Sequence, residues 1–569
     1  MRGVVVSIVF MFCHFIACLA QEDNMTEVIA RVAGCADAEE LDPDVVEHFV
    51  HLARRPLSIN TAGAGQMESS GLFTSYQVAA LLDYRERHGG VMSWSELAAV
   101  DGFSQSRVSD IRMFISLDGG SPQADRTSRR WIEGDVWART GGKVEASMDF
   151  KTLDYMYSAR AKVSLSGGFD LGFATTRGYA AGNSYPDSFT GNVRWKCSGG
   201  QVIAGDFNAR LGQGLCLWNS VVMDSFSTPS SFMKRAGGIS PSNSFTGNYA
   251  LSGVAADWSP GKWKITALLA VPGIKDVRSR PEKVRLQPAL SVGRYMRFGH
   301  FSLNHTMSFS DLKSRAFRIP AMSSSGDFAF CLRGVNIYGE LAFDWVDLRL
   351  SFVAGMESDV GEHLHLAALA RYMPEANQYG ASLGAEVRNR KHYLTVAADA
   401  LYHPVSKSKD GSKSMQLKIN AVWEWKCLTG LTLRMRLSER MRSWGTLFRT
   451  SLRNDLIYVN DRWHAAVRIE VLHCVSLGLL TYLEGGWKSK GLSAYVRAGY
   501  FRTDDWEDRI YAYERDFAGS FNVPAYYGKG WWTSAYLSWK YSRWGTVQLR
   551  AAYKKPGKAE LKIQSVLHF

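Results

Sequence analysis

Through most of this chain, apolar and polar residues alternate one for one. In the run Met415-Gln416-Leu417-Lys418-Ile419-Asn420-Ala421-Val422-Trp423-Glu424-Trp425-Lys426, one set of alternate positions reads Met, Leu, Ile, Ala, Trp, Trp and the other Gln, Lys, Asn, Val, Glu, Lys. Leu431, Leu433, Met435 and Leu437 repeat the pattern against Arg434 and Arg436. A period of two sends neighbouring side chains to opposite faces of a strand. Segments of about ten residues of this kind suit membrane strands with one face to lipid and the other to a wet lumen. They recur about every 20 residues from Trp131 onward and predict an antiparallel transmembrane β-barrel of roughly 18 to 24 strands over residues 131–569. Charged or Gly/Ser-rich stretches such as 406–414 and 504–508 read as its loops. A cylinder of that width is not filled by one layer of side chains, so it is a channel or a plugged lumen.

The period changes upstream. Residues 24–56 read as a helical segment, and short amphipathic helices continue to Leu117, with apolar spacing at Val45, Val46, Phe49, Val50 and Leu52 and again at Val78, Leu81 and Leu82. Asp42 before Pro43 is a helix start, and Gly89-Gly90 a stop. Residues 118–130 read as a linker. The expected class is therefore an α + β multidomain protein, a small all-α domain followed by a large barrel.

Ile59-Asn60-Thr61-Ala62, Asp83-Tyr84-Arg85-Glu86-Arg87-His88-Gly89, Glu96-Leu97 and Val100-Asp101-Gly102-Phe103 resemble the tandem helix-hairpin-helix of the competence DNA receptor ComEA, over residues 57–117. The whole chain resembles fused helix-hairpin-helix and barrel proteins of Bacteroidetes-type bacteria. The resemblance implies a DNA-uptake component whose hairpins, of the form Gly, apolar, Gly, bring backbone amides to a phosphate. Here those triplets are Gly71-Leu72-Phe73 and Gly102-Phe103-Ser104, each without the second glycine. Gly71, Thr74, Gly102, Ser104 and Arg107 are the candidate contacts to a phosphate or to a protein partner.

Residues 1–20 carry Arg2, an apolar stretch over 4–12, and Cys18 and Ala20 before Gln21, the form of a secretory signal. A lipoprotein with Cys18 as the lipidated residue is the alternative. Mean hydropathy is −0.16, and no later run is long and apolar enough for a membrane helix, so any membrane crossing is by strands. Leu561, Ile563, Ser565, Leu567 and Phe569 share one face, and the chain ends on that Phe569. This is similar to the signal by which outer-membrane barrels are recognised for assembly.

Charge divides the chain. Residues 1–40 hold two Arg against six Asp and Glu, and residues 41–117 six Arg against nine. With a total of +13, the remainder carries an excess of +20. An acidic module lacks the electrostatic attraction that supplies most nonspecific DNA affinity. The basic excess suits either an anion-selective lumen or a rim meeting the phosphates of lipopolysaccharide.

Among candidate sites, the stretch 205–215 contains Asp206, Arg210, Gly212 and Gly214 and reads as a strand running into a glycine-rich bend or an inward loop. Glu514, Arg515 and Asp516 read as charges satisfied inside the lumen, with Trp531 and Trp532 at an interface girdle. No GxSxG and no CxxC pair is present, and Cys35, Cys197, Cys216, Cys331, Cys427 and Cys474 are scattered. The expectation is a non-enzymatic transport or secretion barrel in the outer membrane, without cofactor or metal. Its helical domain would face the periplasm as a plug or as a dock for an unidentified periplasmic protein. Its other partners would be outer-membrane lipid, lipopolysaccharide and the barrel-assembly machinery, with DNA as the alternative.

Overall fold

The computed structural model describes residues 22–569 except 42, 119–131, 146–153, 183, 198, 220–225, 246–249, 273–284, 311–320, 408–410, 412, 446–447, 518, 521 and 556. The signal segment, almost all of the linker and the helix start at Asp42 lie outside the described residues.

Alternating segments become strands paired in sequence order, and the first, Ile132–Glu145, pairs with the last, Lys558–His568, to close an antiparallel barrel. Twenty-four strands make the wall, the upper end of the expected range, and the four-residue strand Gly238–Pro241 extends the pairing of Gly200–Arg210. The wall is inside-out relative to a water-soluble fold. Leu303, Leu383, Leu483 and Leu561 are 59%, 66%, 64% and 62% exposed, whereas Asp399 and Gln564 are fully buried and Arg453 nearly so. On Ser414–Leu428 the polar set Gln416 and Asn420 points inward, and Met415 and Trp425 point outward.

The two ends differ. At the end holding Phe569, strands are joined by two to four residues, as between Met296 and Gly299 or between Trp258 and Trp263. At the opposite end the described residues 226–235 and 505–517 of two long connections turn into the cylinder. Phe569 itself exchanges both backbone hydrogen bonds with Gly134, each 3.0 Å, and so fastens the chain end to the closing seam.

The N-terminal residues form helices α1 (Glu22–Ala33), α2 (Pro43–Arg54), α3 (Ala64–Ser69), α4 (Ser75–His88), α5 (Trp94–Leu97) and α6 (Gln105–Ile111). Between α1 and α2 a tight acidic turn carries Asp37, Glu39 and Glu40. Gly89, at φ 82°, ends α4 as its sequence suggests. Helices α3–α4 and α5–α6 are two helix-turn-helix units. A two-residue parallel pair, Leu57–Ser58 with Ile115–Ser116, ties the start of the first to the end of the second. Asn60 explains why its segment reads as it does: its side chain donates to the carbonyls of Val91 and Leu117 and accepts from Val91 N, holding three segments together. The apolar core of this module, from Ile29 to Ile115, is continuous with inward wall residues Tyr295, Tyr338 and Leu369 and with Phe232 and Met233 of the first inward connection. The helical module thus lies inside the barrel, at the short-turn end.

Candidate functional site

The module is held by its acids. The Asp37–Glu40 turn projects into a group of arginines on three adjacent strands. Asp37 pairs with Arg453 and with Arg436 at 3.1 Å, Glu40 with Arg436 at 2.5 Å, and Glu39 with Arg468 at 2.7 Å and Arg453 at 3.3 Å. Around the rest of the circumference Glu47 takes Arg160 and Lys162, Glu68 takes Lys264 and Tyr295, and Asp110 takes both arms of Arg388 at 2.7 and 2.9 Å. Near the short-turn rim, Glu86 meets Lys262 at 2.8 Å and Arg55 meets Glu133 at 2.6 Å. Burial alone would favour the neutral form of these acids. For Glu39 the adjacent Arg468 outweighs it and holds the carboxyl down at about 2. Against the same opposition from burial, Arg436 lowers Glu40, Lys162 and Arg160 lower Glu47, Lys264 lowers Glu68, and Arg388 lowers Asp110. The acidic module and the basic barrel are two halves of one interface.

From the long-loop end, residues 226–235 reach down to the module. Arg235 donates to the carbonyls of Val32 and Gly71, and Thr228 donates to that of Gly34. Residues 503–528 approach from the other side. Glu514 takes Arg550, Asp516 takes Lys562 at 3.2 Å, and the backbone amide of Tyr513 donates to Glu39 at 3.1 Å. Trp532 faces inward onto Phe501 and Tyr526 while Trp531 faces outward, so the two do not share a girdle. Adjacent residues of one strand cannot point the same way.

The sequence-derived candidates fall into three places. Thr74 caps α4, accepting from Gln77 N, and Ser104 caps α6, accepting from Arg107 N. Gly71 forms the first turn at φ 66°. Gly102, at φ 82°, lets the second turn pack on α4, because a Cβ there would lie 2.7 Å from the Tyr76 ring. Arg107 crosses between the units and donates to the Leu72 carbonyl at 2.9 Å. Gly102, Ser104 and Arg107 line, with Asn336, Glu357 and His365 of the wall, a cleft of about 350 Å³. Asp206 is buried on the wall, accepting from Gly191 N and Ser252. Arg210 ends its strand and bridges to Trp218 as the chain turns inward. Phe569 is at the seam, remote from both.

Gly212 and Gly214 form the bend. Gly212, at φ 59°, presses its backbone on Glu340, whose carboxylate accepts from Gln213 N and Leu215 N at 2.7 and 3.0 Å; a Cβ would lie 2.8 Å from it. A Gly212→Val protein is expected to lose roughly 2 kcal/mol or more of stability and to become protease-sensitive within residues 211–219, since a β-branched residue resists positive φ. An unchanged digestion pattern would remove this bend as the anchor of the first inward connection. The docking acids Asp37, Glu39, Glu40, Glu47, Glu68 and Asp110 were not singled out by the sequence. Their only signal there is the excess of acid in the module over base.

No family model matches the chain, and no curated protein matches it. Among solved structures it is similar to the siderophore receptor PirA of Pseudomonas aeruginosa, at 10% identity over 78% of this chain and 81% of that one, with a TM-score of 0.40. It is similar also to the P pilus usher PapC translocation pore, at 8% identity over 77% and 99%, TM-score 0.40. A mutant ferric enterobactin receptor of Pseudomonas aeruginosa in complex with enterobactin matches at 7% identity over 77% and 81%, TM-score 0.42.

Proposed function

We propose that this chain is a plugged transport barrel of the outer membrane, non-enzymatic, with its helical module as the plug. The observation that carries the reading is the seating of an acidic module inside a basic lumen, through Asp37, Glu39 and Glu40 on one side and Glu47, Glu68 and Asp110 around the others. An exposed apolar belt over an inward polar face supports a lipid environment. The short turns and Phe569 then lie toward the periplasm, where the assembly machinery would read that residue, and the long connections lie outside, where basic residues meet lipopolysaccharide. The two helix-turn-helix units are, in this reading, a helix-hairpin-helix pair serving as a plug, and the exposed Met92 beyond α4 is available to a periplasmic protein.

The DNA-receptor reading has less support. The module's net acidity works against attraction to DNA, and the Arg107 guanidinium, the cation beside the second turn, is already bonded to the Leu72 carbonyl.

Neutralising the acidic turn tests the proposal. In proteoliposomes the parent is expected to admit small sugars slowly, and the Asp37→Asn/Glu39→Gln/Glu40→Gln variant several-fold faster, because three arginines lose the charges that hold the plug. Equal swelling rates in parent and variant would count against a plug seated by these residues.

A further inference from the structure

Where Ser414–Leu428, Leu431–Arg442 and Phe448–Val459 run side by side, their register aligns inward side chains in rows. Nearest the short turns, Glu424, Arg434 and Asp455 stand in line, and their signs alternate. Two residues farther along, Arg436 and Arg453 are direct cross-strand partners. Like charges so placed repel, and here Asp37, Glu39 and Glu40 of the module lie between them. Two rows farther toward the long loops, Lys418, Arg440 and Arg449 stand in line, three cations directly opposite one another.

This last row has no acid in direct contact: Glu40 acts on Lys418, and Glu507 on Arg440, only at longer range. Asp399 lies across from Lys418, but its carboxylate accepts from Arg371 at 2.7 and 2.8 Å and from Ser382. Among the described residues, no ion pair joins Lys418, Arg440 or Arg449 to a carboxylate. Neutral oxygens serve the outer two: Ser227 of the first inward connection meets Lys418 at 2.9 Å, and the carbonyls of Glu507 and Arg509 in the second accept from Arg449 at 2.5 and 2.8 Å. Arg440 sits between, its Nε buried and without a partner. The two inward connections therefore flank a concentrated positive charge on the lumen wall.

We infer that Lys418, Arg440 and Arg449 form a binding site for an oxyanion-bearing solute, a phosphate or carboxylate compound, entering from the long-loop end. The Arg436–Arg453 row, two rows nearer the short turns, supplies the physical precedent, since there opposed arginines are completed by carboxylates. A planar guanidinium beside an ammonium suits oxyanions better than halides, because it offers paired donors in a fixed geometry. The row faces the lumen, so phosphates of lipid outside the wall do not reach it, and the ligand is a soluble molecule. The inference rests on the plugged-barrel reading for the route of entry and names the class of cargo.

The test is calorimetric titration of the full chain in detergent with inorganic tripolyphosphate. Saturable binding is expected, about tenfold or more weaker in Arg440→Gln, since a hydrogen bond between charged groups is removed. Arg440→Lys should retain most of the affinity, and Arg55→Gln, which alters a cation at the opposite end, should retain all of it. Arg449→Gln is read in the same way if Arg440→Gln does not assemble. Absence of saturable binding by the parent, or equal affinity in the glutamine variants, overturns the inference. Titration needs no passage through the barrel, so a failed swelling assay leaves this site standing and a failed titration leaves the plug standing.

Discussion

Replacing Glu68 by leucine is expected to cost about 3–5 kcal/mol in the docking of the helical module, because it leaves the buried ammonium of Lys264 without its ion-pair partner. Glu68 is 2% exposed and receives both Lys264 and the Tyr295 hydroxyl, from two adjacent parts of the wall. The measurement is hydrogen exchange of the α3 and α4 amides, which should accelerate while those of the distant strands do not. The double variant Glu68→Leu/Lys264→Leu should recover most of the loss, since removing both members of a buried pair is far less costly than removing one. If the single variant exchanges like the parent, the pair is not a docking contact. If the double is no better than the single, the penalty is one of shape rather than charge.

Acidification is expected to release the helical module before it harms the wall. Glu39, Glu40, Glu47, Glu68 and Asp110 are all held below their ordinary values by wall cations, against the opposing effect of burial. A carboxyl depressed on docking contributes stability that is fully present above its undocked value, 4.5 for Glu, and is lost as pH falls through its docked value. For Glu39 that lower bound is about 2. The window of loss therefore runs downward from about 4.5, and five groups act in the same direction. Pepsin digestion across this range should cut within residues 22–118 increasingly as pH falls, with the strand signal in circular dichroism retained. Digestion that is uniform across the window, or loss of strand signal first, would contradict the docking role of these acids.

The wall was largely legible in advance because a strand needs only local information: alternation at Leu431–Leu437 states which side chains face out of the barrel, whatever the neighbour. The closing residue Phe569 and the unequal charge of the two parts were equally visible. Contacts across the lumen were not. Asp37 meets Arg453 because of the register and curvature of strands some four hundred residues away, and nothing in the sequence around Asp37 specifies them. The same holds for the inward connections. Glu514-Arg515-Asp516 read as satisfied charge, which matches Arg550 and Lys562 as partners, but their identity follows only from the closed cylinder. The turns at Gly71 and Gly102 were read as contacts to a phosphate or to a protein partner, and in the structure Gly102 packs on Tyr76 while Arg107 donates to Leu72. Glycine at positive φ looks identical in a sequence whether it admits a ligand or a neighbouring ring.

The seam between Ile132–Glu145 and Lys558–His568 also imposes an order in time. The tube has no inside until that seam is closed, yet the helical residues that occupy the inside precede the first wall strand in the chain. They touch wall residues as far apart in sequence as Arg160 and Arg468, so the one module ties together strands from opposite ends of the barrel sequence and couples the seam's two sides through its own core.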